Sequence, residues 1–234
     1  MKTPDYKNRY LVIPDLQIPF EHPKALEFCK YIQKYFRIPK ENILNLGDEL
    51  DMLNFGSYEK DPDGDYTINQ ELDESINRLK DWAKAFPIMR LCTSNHQARY
   101  WKKAFGSGIP KRIIKDYKSV IEAPDEWLWK DHWLIKTKHP FMIQHGCGYS
   151  GVNAHRSAAI DNTISTIIGH LHSKAGISYI HTRGTFIWGC NAGSLINEQA
   201  YAFNYAKHAR YKACNGVCVV LNNGLYPIWI PLEG

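Results

Sequence analysis

The chain has no Cys-x-x-Cys pair, no apolar run of membrane-spanning length and no glycine-rich nucleotide signature. Each absence removes a class of protein. The six cysteines, Cys29, Cys92, Cys147, Cys190, Cys214 and Cys218, are scattered. That pattern sets zinc fingers aside and predicts reduced thiols in a cytoplasmic protein. The N-terminus lacks the basic-then-apolar order of a signal peptide, and no stretch would span a bilayer, so no membrane partner is expected. Neither GxxxxGK[ST] nor GxGxxG occurs. No Arg follows Cys147 at the spacing of a cysteine-phosphatase loop, and Ser150 is not in a GxSxG elbow. Cys147 therefore reads as a pocket-wall residue. Internal repeats and low-complexity linkers are absent too. The acidic segment Glu59–Asp65 misplaces the glycine of a calcium loop and has Leu72 at the twelfth position from Asp61. A solvated turn is expected there.

What remains is an ordinary soluble composition. The 234 residues are 44% hydrophobic and 23% charged, with a formal net charge of +5. That suffices for a sizeable core in a single domain spanning 1–234. The mild positive charge permits an anionic substrate without demanding nucleic acid.

Short apolar runs alternate with amphipathic stretches in the first half. Strands are predicted at Tyr10–Pro14, Ile43–Leu46 and Ile88–Cys92. Helices are predicted at Pro23–Phe36, through Leu26, Tyr31, Ile32 and Tyr35, and at Asn69–Phe86, through Leu72, Ile76, Leu79 and Trp82. This order argues for an α/β sheet. After residue 120 strands dominate: Trp127–Thr137, Pro140–Gln144, Thr163–Ile168, Ile177–Thr182, Thr185–Trp188, Gly216–Leu221 and Leu225–Ile230. Asn222-Asn223-Gly224 reads as a hairpin turn. The second half is expected to be richer in antiparallel strands, with Asn197–Lys212 a helix or ordered crossover.

Polar groups follow apolar strands at five places: Asp15 and Gln17, Gly47-Asp48, Asn95-His96, His145-Gly146, and Gly169-His170-Leu171-His172. Ligands of α/β sheets collect at the carboxyl ends of strands, so these five ends can share one pocket. Carboxylate, amide oxygen and imidazole together suit Mn²⁺, Mg²⁺, Fe²⁺ or Zn²⁺. On extended backbone His170 and His172 would face the same way.

This order of residues resembles the calcineurin-like metallophosphoesterase superfamily, whose pattern is D-x-H, G-D, G-N-H-E/D, H and G-H-x-H. The match spans residues 15–172, and the chain is most similar to bacterial and phage-encoded members. The resemblance implies two packed mixed β-sheets flanked by helices. It also implies two divalent ions, Mn²⁺ foremost, that activate a hydroxide to hydrolyse a phosphate ester. Asp15, Gln17, Asp48 and His172 would hold the first ion. Asp48 would bridge, and Asn95, His145 and His170 would hold the second. His96, titrating near neutrality, would protonate the leaving oxygen or stabilise phosphoryl charge.

Several positions depart from that pattern. Gln17 stands where the family has His, which predicts a weaker first metal tilted towards Mn²⁺ or Mg²⁺. Ser94 replaces a Gly and reads as one more side chain at a turn. Gln97 replaces an acid. Asp51 matches the second acid of the GDxxDR form, where it reads as a helix cap or a support to the ligands, but Met52 stands in place of its Arg. A protein phosphatase is therefore disfavoured.

Substrate choice rests on weaker signals. A basic and aromatic insert is expected around 97–130, with Arg99, Lys102, Lys103, Lys111, Arg112, Lys115 and Lys118 interleaved with Tyr100, Trp101, Phe105 and Tyr117. Tyr201–Lys212 repeats that texture. Both suit a nucleic-acid strand, and both also suit plain helix faces. His155, Arg156 and Arg99 are candidate substrate contacts. The leading expectation is a phosphodiesterase or nuclease. A phosphomonoesterase or small-molecule phosphodiesterase, or a catalytically weak binding module on the same fold, are the alternatives. The sequence leaves the oligomeric state open.

Overall fold

A computed structural model describes residues 8–56, 66–200 and 210–233. The acidic segment predicted at 59–65 and most of the stretch at 197–212 lie outside them.

The first half lays down parallel strands β1 (Tyr10–Ile13), β2 (Ile43–Asn45), β3 (Met89–Cys92) and β4 (Trp127–Lys130). Strands β10 (Gly216–Leu221) and β11 (Tyr226–Pro231) return from the far end of the chain and pair antiparallel on the other side of β1. The first sheet thus has the order β11-β10-β1-β2-β3-β4. The Asn222-Asn223-Gly224 turn joins β10 to β11, and all three residues have positive φ (49°, 56° and 92°), which Asn and Gly tolerate.

The second sheet is built from β5 (His132–Ile135), β6 (Phe141–Gln144), β7 (Ser165–Ile168), β8 (Gly176–His181) and β9 (Phe186–Asn191), in the order β5-β6-β7-β9-β8. Its centre is parallel, β6 with β7 and β7 with β9, and its edges are antiparallel. The second half is therefore richer in antiparallel pairs than the first, as expected, with a parallel centre in the second sheet. The single strand predicted over 127–137 is two strands, one in each sheet. Asp131, at the crossing, accepts a hydrogen bond from Thr93 Oγ1 at 2.7 Å.

Alternation along the strands explains the layering. In β1, Leu11 and Ile13 join one core with Ile43, Leu91, Val217 and Val219, while Tyr10 and Val12 join the other with Leu44, Cys92, Phe141, Ile167 and Trp188. Because both faces of the central strands β1, β2 and β10 are covered, these read as unbroken apolar runs. Helices α1 (Ala25–Tyr35), α2 (Ile68–Ala85) and α4 (Tyr117–Val120) cover its outer face. Helix α5 (Ala154–Asp161) covers the second sheet through Ala154 and Ala158.

Two helix details differ from the sequence reading. Helix α1 buries Ala25, Cys29 and Ile32 and leaves Tyr31 and Tyr35 60% and 66% exposed. Small side chains at 25 and 29 let the helix sit close to the sheet, which the aromatic stripe would have prevented. Helix α3 (Asn95–Gly106) begins inside the third motif, and Ser94 is its N-cap, accepting from Gln97 N at 3.3 Å. The serine is a cap, not merely an added side chain at a turn. The interval 97–130 thus holds most of α3 and all of α4 and β4.

Candidate metal centre

The five motifs sit just past the carboxyl ends of five parallel strands, β1, β2, β3, β6 and β7, where the two sheets face each other. Short backbone bonds draw the loops together. Gln17 N donates to Asp48 O at 2.8 Å, and Gly169 N to His145 O at 2.9 Å. Two glycines are required for this approach. A Cβ on Gly47 would lie 2.8 Å from Ser94 Cβ and 2.9 Å from the Cys92 carbonyl, and one on Gly169 would collide with Asp15 Oδ1. Gln17, Asp48 and His170 hold φ of 52°, 51° and 67°, left-handed values that side chains other than glycine rarely adopt.

The polar side chains converge. Asp15 and Asp48 are buried, and their carboxylate oxygens lie within 4.8 Å of each other and of a His145 nitrogen. His172 Nε2 is 3.0 Å from Asp15 Oδ2 and 3.0 Å from Gln17 Nε2. His145 Nε2 is 2.8 Å from Asn95 Oδ1 and 3.4 Å from Asp48 Oδ2. The His145 and His170 rings meet edge to face with centroids 5.0 Å apart. All seven predicted ligands are therefore joined, directly or through a neighbour, into one cluster.

The cluster suits cations. Two carboxylates this close and this buried need positive charge beside them. Gln17 Oε1 is buried with no hydrogen-bond partner among the described residues, an oxygen donor left free. His145 gives the sharpest sign. Its Nδ1 is 2.9 Å from the Leu46 carbonyl, which only accepts, so Nδ1 carries the proton. Nε2 faces oxygen atoms of Asp48 and Asn95 and is the nitrogen open to a cation between them.

The titration behaviour follows from burial and neighbours. Burial raises the Asp48 carboxyl, but His145, His96 and the Ser94 hydroxyl together hold it below its usual value. Burial lowers His172, and the hydrogen bond and charge of Asp15 outweigh it and raise the imidazole. His170 is lowered by burial and by His145. His96 is depressed to about 4, chiefly by burial, with Asp48 opposing and Arg99 adding to the effect. The expectation that His96 titrates near neutrality is therefore not met.

Burial is the main cause, and Arg99 adds to it. Its Nη2 lies 2.8 Å from His96 Nε2, while its Nη1 donates to Asp51 O at 2.8 Å and meets Asp51 Oδ1 at 3.3 Å. A guanidinium only donates, so the imidazole accepts and stays neutral. Asp51, pushed up to about 7 by burial against the pull of Arg99, anchors this arginine rather than capping a helix. A guanidinium thus reaches the site from α3, although Met52 removes the one expected beside Asp51.

His155 and Arg156 lie elsewhere. His155 is buried with Nε2 2.8 Å from Ser178 Oγ, and Arg156 Nη1 donates to the Tyr179 carbonyl at 3.3 Å. Both fasten α5 to β8. Among the described interactions neither bonds to a residue of the cluster. Conversely, Cys147, read as a wall residue, has Sγ within 4.8 Å of the ligating nitrogens of His145 and His170. The His-Gly-Cys spacing was the available signal. Among the described residues no helix is long and apolar enough to cross a membrane.

No protein-family model and no curated protein matches the chain. Solved structures similar to it include two from different organisms. The hypothetical protein PH1004 from Pyrococcus horikoshii OT3 matches over 96% of this chain and 88% of its own, with 11% identity and a TM-score of 0.51. Vps29 from Chaetomium thermophilum matches over 94% and 87%, with 11% identity and a TM-score of 0.45. At such identity a likeness speaks for the fold alone, and that fold is the metallophosphoesterase-like pair of mixed sheets flanked by helices.

Proposed function

We propose that this protein is a metal-dependent phosphoesterase acting on phosphodiesters. The observation that carries the reading is the convergence of Asp15, Gln17, Asp48, Asn95, His145, His170 and His172 on one buried cluster. Asp15, Gln17, Asp48 and His172 would hold one divalent ion, and Asp48, Asn95, His145 and His170 a second. The chemistry such ions supply is acidification of water and neutralisation of phosphoryl charge.

The chain's own residues supply the rest. Asp15 is fixed by His170 N, which donates to Oδ1 and Oδ2 at 3.2 and 3.0 Å. Asp48 Oδ1 accepts from His96 N at 3.2 Å, so the carboxylate and the imidazole are held in register. Arg99 presents a two-pronged donor that matches a phosphoryl group. When phosphate draws Arg99 away, His96 Nε2 is released to bear a proton for the leaving oxygen. Beyond it α3 and the following turn expose Lys102, Phe105, Lys111 and Arg112, which favours a polyanionic substrate such as a nucleic-acid strand.

A panel of phosphate diesters and monoesters, including single- and double-stranded DNA, run with Mn²⁺, Mg²⁺, Fe²⁺ and Zn²⁺, tests the reading. Diester cleavage that needs an added ion and is lost in Asp48→Asn supports it. A folded protein that binds no divalent ion ends it. One observation favours the second reading, a catalytically weak binding module: the amide of Gln17 replaces an imidazole donor. Under that reading one ion binds per chain, and Gln17→His adds a second.

A further inference from the structure

The donor cluster continues beyond the residues that the resemblance assigns. Cys147 follows His145 by two residues on a loop whose flanking glycines, Gly146 and Gly148, have φ of 110° and 93°. Its Sγ and the ligating nitrogens of His145 and His170 all lie within 4.8 Å of one another. The same sulfur is 3.5 Å from Asn95 Oδ1. The thiol therefore sits against the same three groups, His145, His170 and Asn95, that surround the second metal position.

The loop can bring it closer. Around one ion, adjacent sulfur and nitrogen donors lie about 3.1–3.6 Å apart, given Zn–S and Zn–N bonds of about 2.3 and 2.1 Å. Cys147 is exposed, and no heavy atom would come within 4 Å of a Cβ on Gly148. The far side of the loop is pinned instead: Tyr149 N donates to Gly146 O at 3.1 Å, and Tyr149 packs on Ala154, Ala158 and Ile168. Gly146 is packed against Ile168 and Gly169, so the freedom lies in the Cys147 χ1 and at Gly148, which move the sulfur towards the two histidines.

We propose that the Cys147 thiolate is a ligand of the ion held by His145 and His170, making this a mixed nitrogen–sulfur position that selects Zn²⁺ or Fe²⁺ over Mn²⁺ and Mg²⁺. The inference rests on the metal-centre reading above. On binding, the S–H proton passes to solvent and a sulfur–metal bond forms, with no change of oxidation state. Thiolate and imidazole favour softer ions, whereas the position built from Asp15, Gln17 and Asp48 is rich in oxygen and favours harder ones. The two positions therefore differ in metal preference, and a mixed pair of ions is the expected resting composition.

Cobalt(II) reports the thiolate directly. The full chain and Cys147→Ser are titrated with Co²⁺ while visible and near-ultraviolet spectra, bound cobalt by elemental analysis, and circular dichroism are recorded. The expected result is a near-ultraviolet thiolate-to-cobalt charge-transfer band that saturates with one equivalent. In Cys147→Ser the fold persists, the band is absent, and the preference for Zn²⁺ over Mn²⁺ falls by about tenfold. Bound cobalt with visible bands but no charge-transfer band overturns the role of Cys147 and leaves the metal centre standing. A band that survives in Cys147→Ser overturns it too. Failure of the unmodified chain to bind cobalt overturns the metal-centre reading itself, and this inference with it.

Discussion

His145 Nδ1 lies 2.9 Å from the Leu46 carbonyl oxygen, a hydrogen bond that ties the second sheet to the first across the candidate site. It sets the tautomer of His145 and aims Nε2 at Asp48 and Asn95. Long-range nitrogen–proton NMR of the metal-free protein at mildly alkaline pH is expected to show the Nδ1–H form for His145, with the Nε2 resonance moving when Zn²⁺ is added. An Nε2–H tautomer would contradict the assignment.

Gly169 gives a second prediction. A methyl group there meets the Asp15 carboxylate and Leu46 Cβ, so Gly169→Ala must displace a ligand or the β1 end. Overpacking of this kind destabilises by about 1–3 kcal/mol. Calorimetric titration with Mn²⁺ should register weaker binding together with a lowered melting temperature. Unchanged affinity would mean that Asp15 does not hold an ion.

Arg99→Lys keeps the charge and loses the fork that reaches both His96 and Asp51. The loss of one charge-assisted contact is worth about 1.5–3 kcal/mol, hence about ten- to a hundredfold in kcat/KM on a phosphodiester. If the lysine variant turns over at the wild-type rate, Arg99 contributes nothing to phosphate recognition.

His155 provides a pH prediction away from the cluster. Burial, with a smaller contribution from Arg156, lowers its imidazole below the ordinary value of 6.5. The unfolded chain then takes up a proton before the folded one does. The stability tied to neutral His155 is present above that ordinary value and is lost as pH falls through and below it. Denaturant midpoints measured between neutral and mildly acidic pH should fall with acid, and His155→Gln should flatten the slope. A variant with the wild-type slope would remove His155 as the source.

The alternating strand–helix order and the five polar strand ends were legible along the chain, because period and strand termination are local properties. Asp15, Asp48, Asn95, His145, His170 and His172 could be picked out as a set for the same reason. The strand at 127–137 could not be divided by inspection. Trp127–Lys130 and His132–Ile135 are equally apolar, and only pairing with β3 or β6 separates them. The buried face of α1 was misread because aromatic side chains outweigh alanine and cysteine in any periodic count, whereas close packing on a sheet favours the small ones.

The sequence alone determined which donors exist and that each follows a strand, since ligand chemistry and chain order are written residue by residue. Tertiary structure decided what those donors face. It set Arg99 against His96, turned His155 and Arg156 towards β8, and brought Cys147 beside His145 and His170. These relationships join residues from separate elements, or depend on how a loop or helix is seated. A side chain's protonation and reach follow from such neighbours, which only the packing of the two sheets supplies.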